Sequence, residues 1–251
     1  MRVGIFSDVH ANLLALEAVL DDTTKQGIAE LISLGDVVGY GPNPRECLEI
    51  VCERTEQMLL GNHDLADVDP DSNTGGFNRE ARQSAHWHHD QLAAGNYLEL
   101  LARLEPLVAL GDITLCHGTP RNPLNEYVFP DDVWNTKKMQ AVFGASSRIV
   151  CVGHAHVPGI YFIDGNRVGS KEIPGFPFEY DLSQHEKVLV NVGSVGQPRD
   201  FNPQACYVVL DDHSVTVTFR RVPYDCEAVK AAIHAIPQLS QFLGNRLVEG
   251  R

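Results

Sequence analysis

Five short polar motifs, each following a run of strand-forming residues, constrain this chain more than any other feature of its sequence. They are Asp8-Val9-His10, Gly35-Asp36, Gly61-Asn62-His63-Asp64, His117-Gly118 and Gly153-His154-Ala155-His156. In an open α/β sheet the loops beyond the carboxyl ends of the strands converge on one crevice, so residues distant in the chain meet there. Asp8, Asp36, Asn62 and the five histidines of these motifs then face one pocket.

The stretches between the motifs supply the elements such a sheet needs. Residues 2–7, 31–34 and 57–60 read as strands. Leu13, Leu16, Val19 and Leu20 recur at helical spacing behind Asn12, a natural N-cap, and a further helix begins at Pro44 and runs to Arg54. Strand, helix, strand, helix, strand predicts a parallel sheet covered by helices. Helices are expected over 78–92, 94–104 and 131–143, a hairpin over 107–116 turning at Gly111-Asp112, and a strand over 148–152. From Gly159 the pattern changes to short strands, over 159–163, 187–192, 205–210 and 214–221, which predicts a second, mostly antiparallel sheet packed face to face with the first. Residues 117–130 and 169–186 read as loops and 225–236 as a closing helix. With 43% apolar residues among 251, no repeat and no linker, the chain is expected to form a single α/β domain over 1–251.

The formal charge is −13, from 33 acidic and 20 basic residues, with no long run of one sign. A groove that tracks a polyanion, or a face for an anionic membrane, is therefore not expected, and a nuclease is disfavoured. A phosphate-bearing substrate needs positive charge that the side chains do not supply in bulk; a bound metal would supply it. The six cysteines, at 47, 52, 116, 151, 206 and 226, include no CxxC pair and read as small buried hydrophobes in a reducing compartment. No apolar stretch approaches the roughly 20 residues of a membrane-spanning helix. The first residues already read as a strand running into a motif, which leaves no room for a signal peptide, so a cytoplasmic location is expected.

Oxygen and imidazole donors without thiolate suit manganese, iron, zinc or cobalt. Asp8 and His10 stand two apart, as do His154 and His156, so on an extended backbone each pair points to one face. Seven donors exceed what one zinc-like centre takes. Two divalent metals sharing one carboxylate fit better, with Asp36, alone after the second strand, as the bridge.

In this order the motifs resemble the calcineurin-like metallophosphoesterase superfamily, whose pattern is D-x-H, GD, GNH[DE], H, GHxH. The likeness extends to short prokaryotic phosphodiesterases and nucleotide phosphohydrolases through residues 35–44, 117–121 and 191–200. The resemblance implies a two-sheet α/β sandwich. It implies that Asp8, His10, Asp36 and His156 hold one metal and that Asp36, Asn62, His117 and His154 hold the other, with His63 facing the substrate phosphate. Two cations lower the pKa of a bridging water and clamp the attacking and leaving oxygens of an in-line displacement, so no protein nucleophile is required. His63 then stabilises charge on the phosphorus oxygens or protonates the leaving group, with Asp64 placed to orient it. Relatives of the protein-phosphatase type carry Asp-Arg shortly after the GD motif, where this chain has Gly39-Tyr40, so a protein substrate is not expected.

Arg121 and Arg199 are expected to grip substrate phosphate through their planar guanidinium forks. Asn191 and Ser194 read as turn formers, His86, His88 and His89 as surface or core histidines on a helix, and Cys116 and Cys151 as packing residues. Tyr40, Phe77, Trp87 and Trp134 receive no role, and specificity is expected in the irregular segments 64–89, 117–130 and 169–186. The function expected is a dinuclear metal-dependent phosphoesterase acting on a small phosphodiester or phosphoanhydride, a nucleotide or dinucleoside polyphosphate among them. The alternative is a non-catalytic scaffold of the same fold, which the intact ligand set and His63 disfavour.

Overall fold

Strand β1 (Arg2–Phe6) sets the layering, because its side chains divide between two cores. Val3 and Ile5 enter the space between two sheets, whereas Phe6 joins the helices on the outer face. The computed structural model, which describes residues 2–251, places β1 parallel to β2 (Glu30–Ser33), and β2 parallel to the two-residue β3 (Gln57–Met58). The connecting helices α1 (Leu13–Lys25) and α2 (Pro44–Arg54) cover this face with Leu16, Val19, Leu48 and Val51. Burying a Leu or Val side chain of this kind contributes about 1.5–3 kcal/mol. Asn12 caps α1 as expected, its Oδ1 accepting the Ala15 amide at 3.2 Å.

Short helices α3 (Asn62–Val68), α4 (Pro70–Asn73), α5 (Arg79–Leu92) and α6 (Tyr97–Leu101) follow β3. The second sheet then begins with the hairpin β4 (Leu107–Leu110) and β5 (Ile113–Cys116), and continues after α7 (Thr136–Gly144) with β6 (Ile149–Val152). The remaining strands are β7 (Gly159–Asp164), β8 (Arg167–Lys171), β9 (Phe178–Asp181), β10 (Lys187–Asn191), β11 (Ala205–Asp211) and β12 (Thr216–Val222). A helical hairpin, α8 (Cys226–His234) and α9 (Gln241–Glu249), closes the chain.

The sheets run β3-β2-β1-β11-β12-β9 and β4-β5-β6-β10-β7-β8, and together with their helices they form a two-sheet α/β sandwich. Strand alternation explains the face-to-face packing. Cys151, Val188 and Val190 point into the inter-sheet core with Ile5, Val208 and Phe219, while Val150, Val152 and Leu189 point outward to Met139, Val142 and Phe143 near α7.

Four expectations need correction. The strands after Gly159 do not form a sheet of their own. β11 pairs antiparallel with β1 and β10 pairs parallel with β6, so the late strands complete both sheets, and each sheet is mixed. Residues 169–186 are not one loop; they hold β8's end and β9, outer strands whose exposed residues lack the alternation of a half-buried strand. The helix expected over 131–143 breaks at Asn135, which ends a 3-10 turn over Pro130–Trp134 and caps α7 by accepting the Lys138 amide. The helices α3 and α9 were not anticipated from the sequence pattern.

Candidate metal centre

The motif loops are stitched together by main-chain hydrogen bonds before any side chain is considered. The amides of Asp8, His10 and Ala11 donate to the carbonyls of Gly35, Asp36 and Val37 at 2.9–3.0 Å. The Asp64 carboxylate, expected to orient His63, instead accepts the amides of Asp36 at 2.7 Å, Gly61 at 2.9 Å and Val38 at 3.1 Å. Its position at the start of α3 locks the second and third loops together. Burial raises the Asp64 carboxyl to about 7, with Asp36 adding to the effect.

Asp8, His10, Asp36, His154 and His156 all have φ between +48° and +63°. Side chains other than glycine rarely adopt this left-handed region, and each such residue costs on the order of 1–3 kcal/mol, held only where the surroundings over-determine it. The paired Asp8/His10 and His154/His156 therefore reach one face through tight loops and not, as expected, through extended backbone. Such strain gathers at functional sites.

These loops bring the seven candidate ligands together in two buried groups that share Asp36. Donor atoms of Asp8, His10, Asp36 and His156 lie within 4.8 Å of one another, as do those of Asp36, His117 and His154. Asn62 joins the second group, its Oδ1 lying 3.1 Å from His117 Nε2. Asp36 Oδ2 lies 3.3 Å from His117 Nε2 and 3.7 Å from His10 Nε2.

The outward ring nitrogens fix which atoms face inward. His10 Nδ1 meets the Val38 carbonyl at 3.1 Å, His117 Nδ1 the Leu34 carbonyl at 3.1 Å, and His156 Nδ1 the Gln197 carbonyl at 2.6 Å. A carbonyl only accepts, so each Nδ1 carries a proton, and in the neutral ring Nε2 presents its lone pair to the centre. His10 Nε2 and His156 Nε2 then face one another at 3.2 Å as two acceptors. Asp8 Oδ1, Asp36 Oδ2 and His154 Nε2 are buried without a hydrogen-bond partner. Converging acceptors with no donor are unfavourable unless a cation lies among them, and this donor set fits divalent metals.

The carboxylates and imidazoles also act on one another's charge. Burial alone would raise the carboxyls of Asp8 and Asp36, yet His156 and His117 around Asp8, and His117, His63 and His10 around Asp36, hold both below the usual carboxylate range. Burial alone would lower His117, but Asp36, with Asp8 and Asp64, raises it to about 9, so with no cation beside it this ring takes a second proton, on the Nε2 that faces Asp36 Oδ2 at 3.3 Å. Burial pushes His154 down to about 3 and lowers His10 and His156.

His63 stands beside the two groups without joining them. Its amide donates to Asp36 Oδ1 at 2.8 Å, and its ring packs against Tyr40 and Phe77 at centroid distances of 4.3 and 4.5 Å and edge-on to His10 at 5.1 Å. Its Nδ1 has no partner, and burial pushes the ring down to about 3. Tyr40 and Phe77 received no role from the sequence; only proximity in the fold reveals them as the walls around His63.

The two arginines separate. Arg199 lies beside the centre, its amide donating to the His156 carbonyl at 3.1 Å and its guanidinium to Gln197 Oε1. Arg121 points to a different partner: its guanidinium is held by both carboxylate oxygens of Glu126 on a half-exposed loop. Asn191 and Ser194 brace turns as expected, Asn191 Nδ2 donating to the Gly153 carbonyl and Ser194 Oγ to the Asp8 carbonyl. His88 is buried and ties the Gly39–Gly41 loop to Asp67, meeting the Gly39 amide at 2.7 Å, the Gly41 carbonyl at 2.8 Å and Asp67 Oδ2 at 3.0 Å. His86 stays on the surface. Tyr127, from the 117–130 loop, stacks on His154 at 3.7 Å and on Phe129 at 5.0 Å. Cys116 and Cys151 are buried packing residues.

Comparison with known proteins gives this geometry a context. Residues 1–214 match the calcineurin-like phosphoesterase superfamily domain. An uncharacterized protein of Methanocaldococcus jannaschii is 33% identical over 255 residues, covering 99% of this chain and 98% of that one. The crystal structure of a metallophosphoesterase from Sphaerobacter thermophilus superposes with a TM-score of 0.84 at 36% identity, over 100% of this chain and 99% of that one. A hypothetical protein from Pyrococcus horikoshii shares the fold, with a TM-score of 0.79 at 19% identity over 100% and 98% of the two chains.

Proposed function

This chain belongs to the calcineurin-like phosphoesterase superfamily, and on that premise we propose that it hydrolyses a small phosphodiester or phosphoanhydride, a nucleotide or dinucleoside polyphosphate among them, with two divalent metal ions. The observation that carries this reading is the pair of acceptor lone pairs on His10 and His156, 3.2 Å apart, beside the unpartnered oxygens of Asp8 and Asp36. Asp8, His10, Asp36 and His156 would hold one ion and Asp36, Asn62, His117 and His154 the other. Manganese, iron and zinc all suit these donors. When bound, such ions supply a water acidic enough to attack at neutral pH and positive charge for the phosphoryl oxygens.

The chain's own residues do the rest. The carbonyls of Val38, Leu34 and Gln197 hold three imidazoles with Nε2 inward, so the donors are positioned before any ligand arrives. His63 offers its ring to a phosphate oxygen from a site walled off from water by Tyr40 and Phe77. Arg199, beside His156, receives negative charge on the substrate. Arg121 would contribute only after leaving Glu126. Gly39-Tyr40 stands where protein phosphatases of the superfamily carry Asp-Arg, which supports a small substrate over a phosphoprotein.

No helix among the described residues is long and apolar enough to cross a membrane. We take the protein to act in the cytoplasm as one domain, and the −13 charge weighs against a nucleic-acid substrate. The test is elemental analysis of the purified protein together with turnover of a bis-aryl phosphodiester in added manganese. Two metal equivalents and metal-dependent turnover are expected. Metal-free, inactive protein under saturating manganese would refute the reading and favour a scaffold.

A further inference from the structure

Ser84 and His88 stand one turn apart on α5, and both are buried. Both reach the loop that follows the second motif: Ser84 Oγ accepts the Tyr40 amide at 2.7 Å, and His88 Nδ1 accepts the Gly39 amide at 2.7 Å. His88 Nε2 meets the Gly41 carbonyl at 2.8 Å. A carbonyl only accepts and an amide N–H only donates, so the ring carries its proton on Nε2 and a lone pair on Nδ1. Asp67 of α3 approaches that same Nδ1, its Oδ2 at 3.0 Å. An ionised carboxylate there would set its lone pairs against the lone pair of Nδ1. Moving the ring proton to Nδ1 would instead leave the buried Gly39 N–H facing another N–H, without an acceptor. A proton on Asp67 Oδ2 satisfies both contacts, because the carboxyl O–H and the Gly39 N–H then share the Nδ1 lone pair.

Asp67 is buried, and among the described residues its Oδ1 has no hydrogen-bond partner. A buried carboxylate with an idle oxygen is costly, and a neutral carboxyl is far less so. Burial raises this carboxyl to about 6, with His88 drawing it down and Asp36 adding to the rise. His89 of α5 also draws it down, and its Nδ1 meets the Asp67 main-chain carbonyl at 2.9 Å. Asp64, on α3 itself, faces the amides of the motif loops. The single charged residues of α4 and α6, Asp71 and Glu99, face His86 and Arg103 instead. The loop held by this pair is the one that shapes the place of His63. A Cβ on Gly39 would lie 2.9 Å from His63 Nδ1, and the Tyr40 ring packs on His63 at 4.3 Å.

We propose that Asp67 and His88 are positioning residues for His63: a proton held on Asp67 lets His88 anchor both ends of the Gly39–Gly41 loop against the His63 ring. The proposal rests on the hydrolase reading above through the role of His63. Long-range nitrogen–proton NMR of the wild-type protein in the presence of zinc reads the His88 ring directly. An unprotonated Nδ1 beside a protonated Nε2 is expected at neutral pH; a protonated Nδ1 would show an ion pair and overturn the proposal. Turnover of the bis-aryl phosphodiester then separates the neutral carboxyl from the carboxylate. Asp67→Ala should lower kcat on the order of ten- to 10²-fold, the range for a misplacement of up to about 1 Å, with KM and metal content little changed. Wild-type kcat in that variant would overturn the positioning role. Asp67→Asn keeps an N–H where the carboxyl O–H stood, and should recover most of the loss. The ratio of its kcat to that of the wild type should climb as the pH rises past about 6, where the wild type gives up its proton. A level ratio near one, with the proton held throughout, supports the proposal as well. A ratio well below one, or one that falls as the pH rises, would make the carboxylate the working form and overturn it. Should Asp67→Ala fail to fold, that ratio decides. Absent turnover by the wild type is failure of the hydrolase reading, and the NMR spectrum still locates the proton.

Discussion

Gly39 makes room for the His63 ring: a Cβ on Gly39 would lie 2.9 Å from both Cβ and Nδ1 of His63. Gly39 also has φ +92°, so the loop carrying Tyr40 turns there in a conformation that other residues rarely adopt. Gly39→Ala should cost about 1–3 kcal/mol in stability through backbone strain. It should also push His63 away from the phosphate and lower kcat, while metal content stays at the wild-type value. Measuring kcat and metal content on the same sample checks this; unchanged kcat means that the ring has not been displaced.

Asp36 is the one side chain common to both ligand groups. Its Oδ1 accepts the His63 amide, so Oδ2 is the oxygen left to the centre. Asp36→Asn should weaken both metal sites together, by at least the roughly 10–100-fold that loss of an outer partner costs in metal affinity. Metal titration of the variant is the check. One site weakened with the other intact would show that Asp36 does not bridge.

Asp64 holds three amides from two loops with two oxygens. An asparagine there must turn an NH2 toward at least one of those N–H groups, leaving a buried donor unpaired at a cost of about 1–3 kcal/mol. Asp64→Asn should therefore lower the melting temperature and loosen both metal sites, although Asp64 itself binds neither. Full stability with full metal occupancy would contradict this bracing role.

Much of this was legible in the sequence, and the reason is local. Asn12, Pro44 and Asn78 each start a helix where the sequence predicts one, because capping chemistry depends on neighbours only a few residues away. The motifs could be gathered on one crevice because strand-end loops in such sheets converge. What depends on distant partners was hidden. β11 inserts beside β1 across more than two hundred residues, and no periodicity in either strand says so. Tyr40 and Phe77 approach His63 only once the chain has folded, and Asp64 trades its neighbour His63 for the backbone of Asp36, a choice made by loop geometry and not by adjacency.

Away from the centre, Asp22 ties α1 to the first sheet. Arg220 donates to both of its oxygens, at 2.6 and 3.0 Å, and the Tyr207 hydroxyl adds a third bond at 2.7 Å. Burial would raise the Asp22 carboxyl, but Arg220 and Tyr207 outweigh it and hold the carboxyl below its ordinary value of 3.8. A carboxyl lowered by folding contributes stability above its unfolded pKa and loses it as pH falls through the folded value. Asp22→Asn should thus destabilise by about 1.5–3 kcal/mol at neutral pH. The gap from wild type should narrow once the pH drops below 3.8. Urea unfolding of both proteins at pH 7 and at low pH measures it, and a gap independent of pH would refute the charged contact.

On the proposed reading, His63 is the residue at which metal binding and chemistry can be separated. Among the described residues no carboxylate oxygen lies within ion-pair distance of its ring, and the neighbours that pack on it, Tyr40 and Phe77, are aromatic. Burial outweighs the pull of Asp36 toward a second proton, so His63 should act as a neutral N–H donor to a phosphate oxygen rather than as an acid for the leaving group. Removing one such preorganised donor typically lowers kcat by about 10²–10³-fold. His63→Ala should show a loss of that size and keep both metals, because its side chain lies outside both ligand groups. Aryl esters of graded leaving-group pKa then discriminate between the roles. A phosphate donor serves every ester alike, so the loss should be the same along the series. A loss that grows with leaving-group pKa would show instead that His63 delivers a proton to the departing oxygen, and lost metal would show that it belongs to the ligand set.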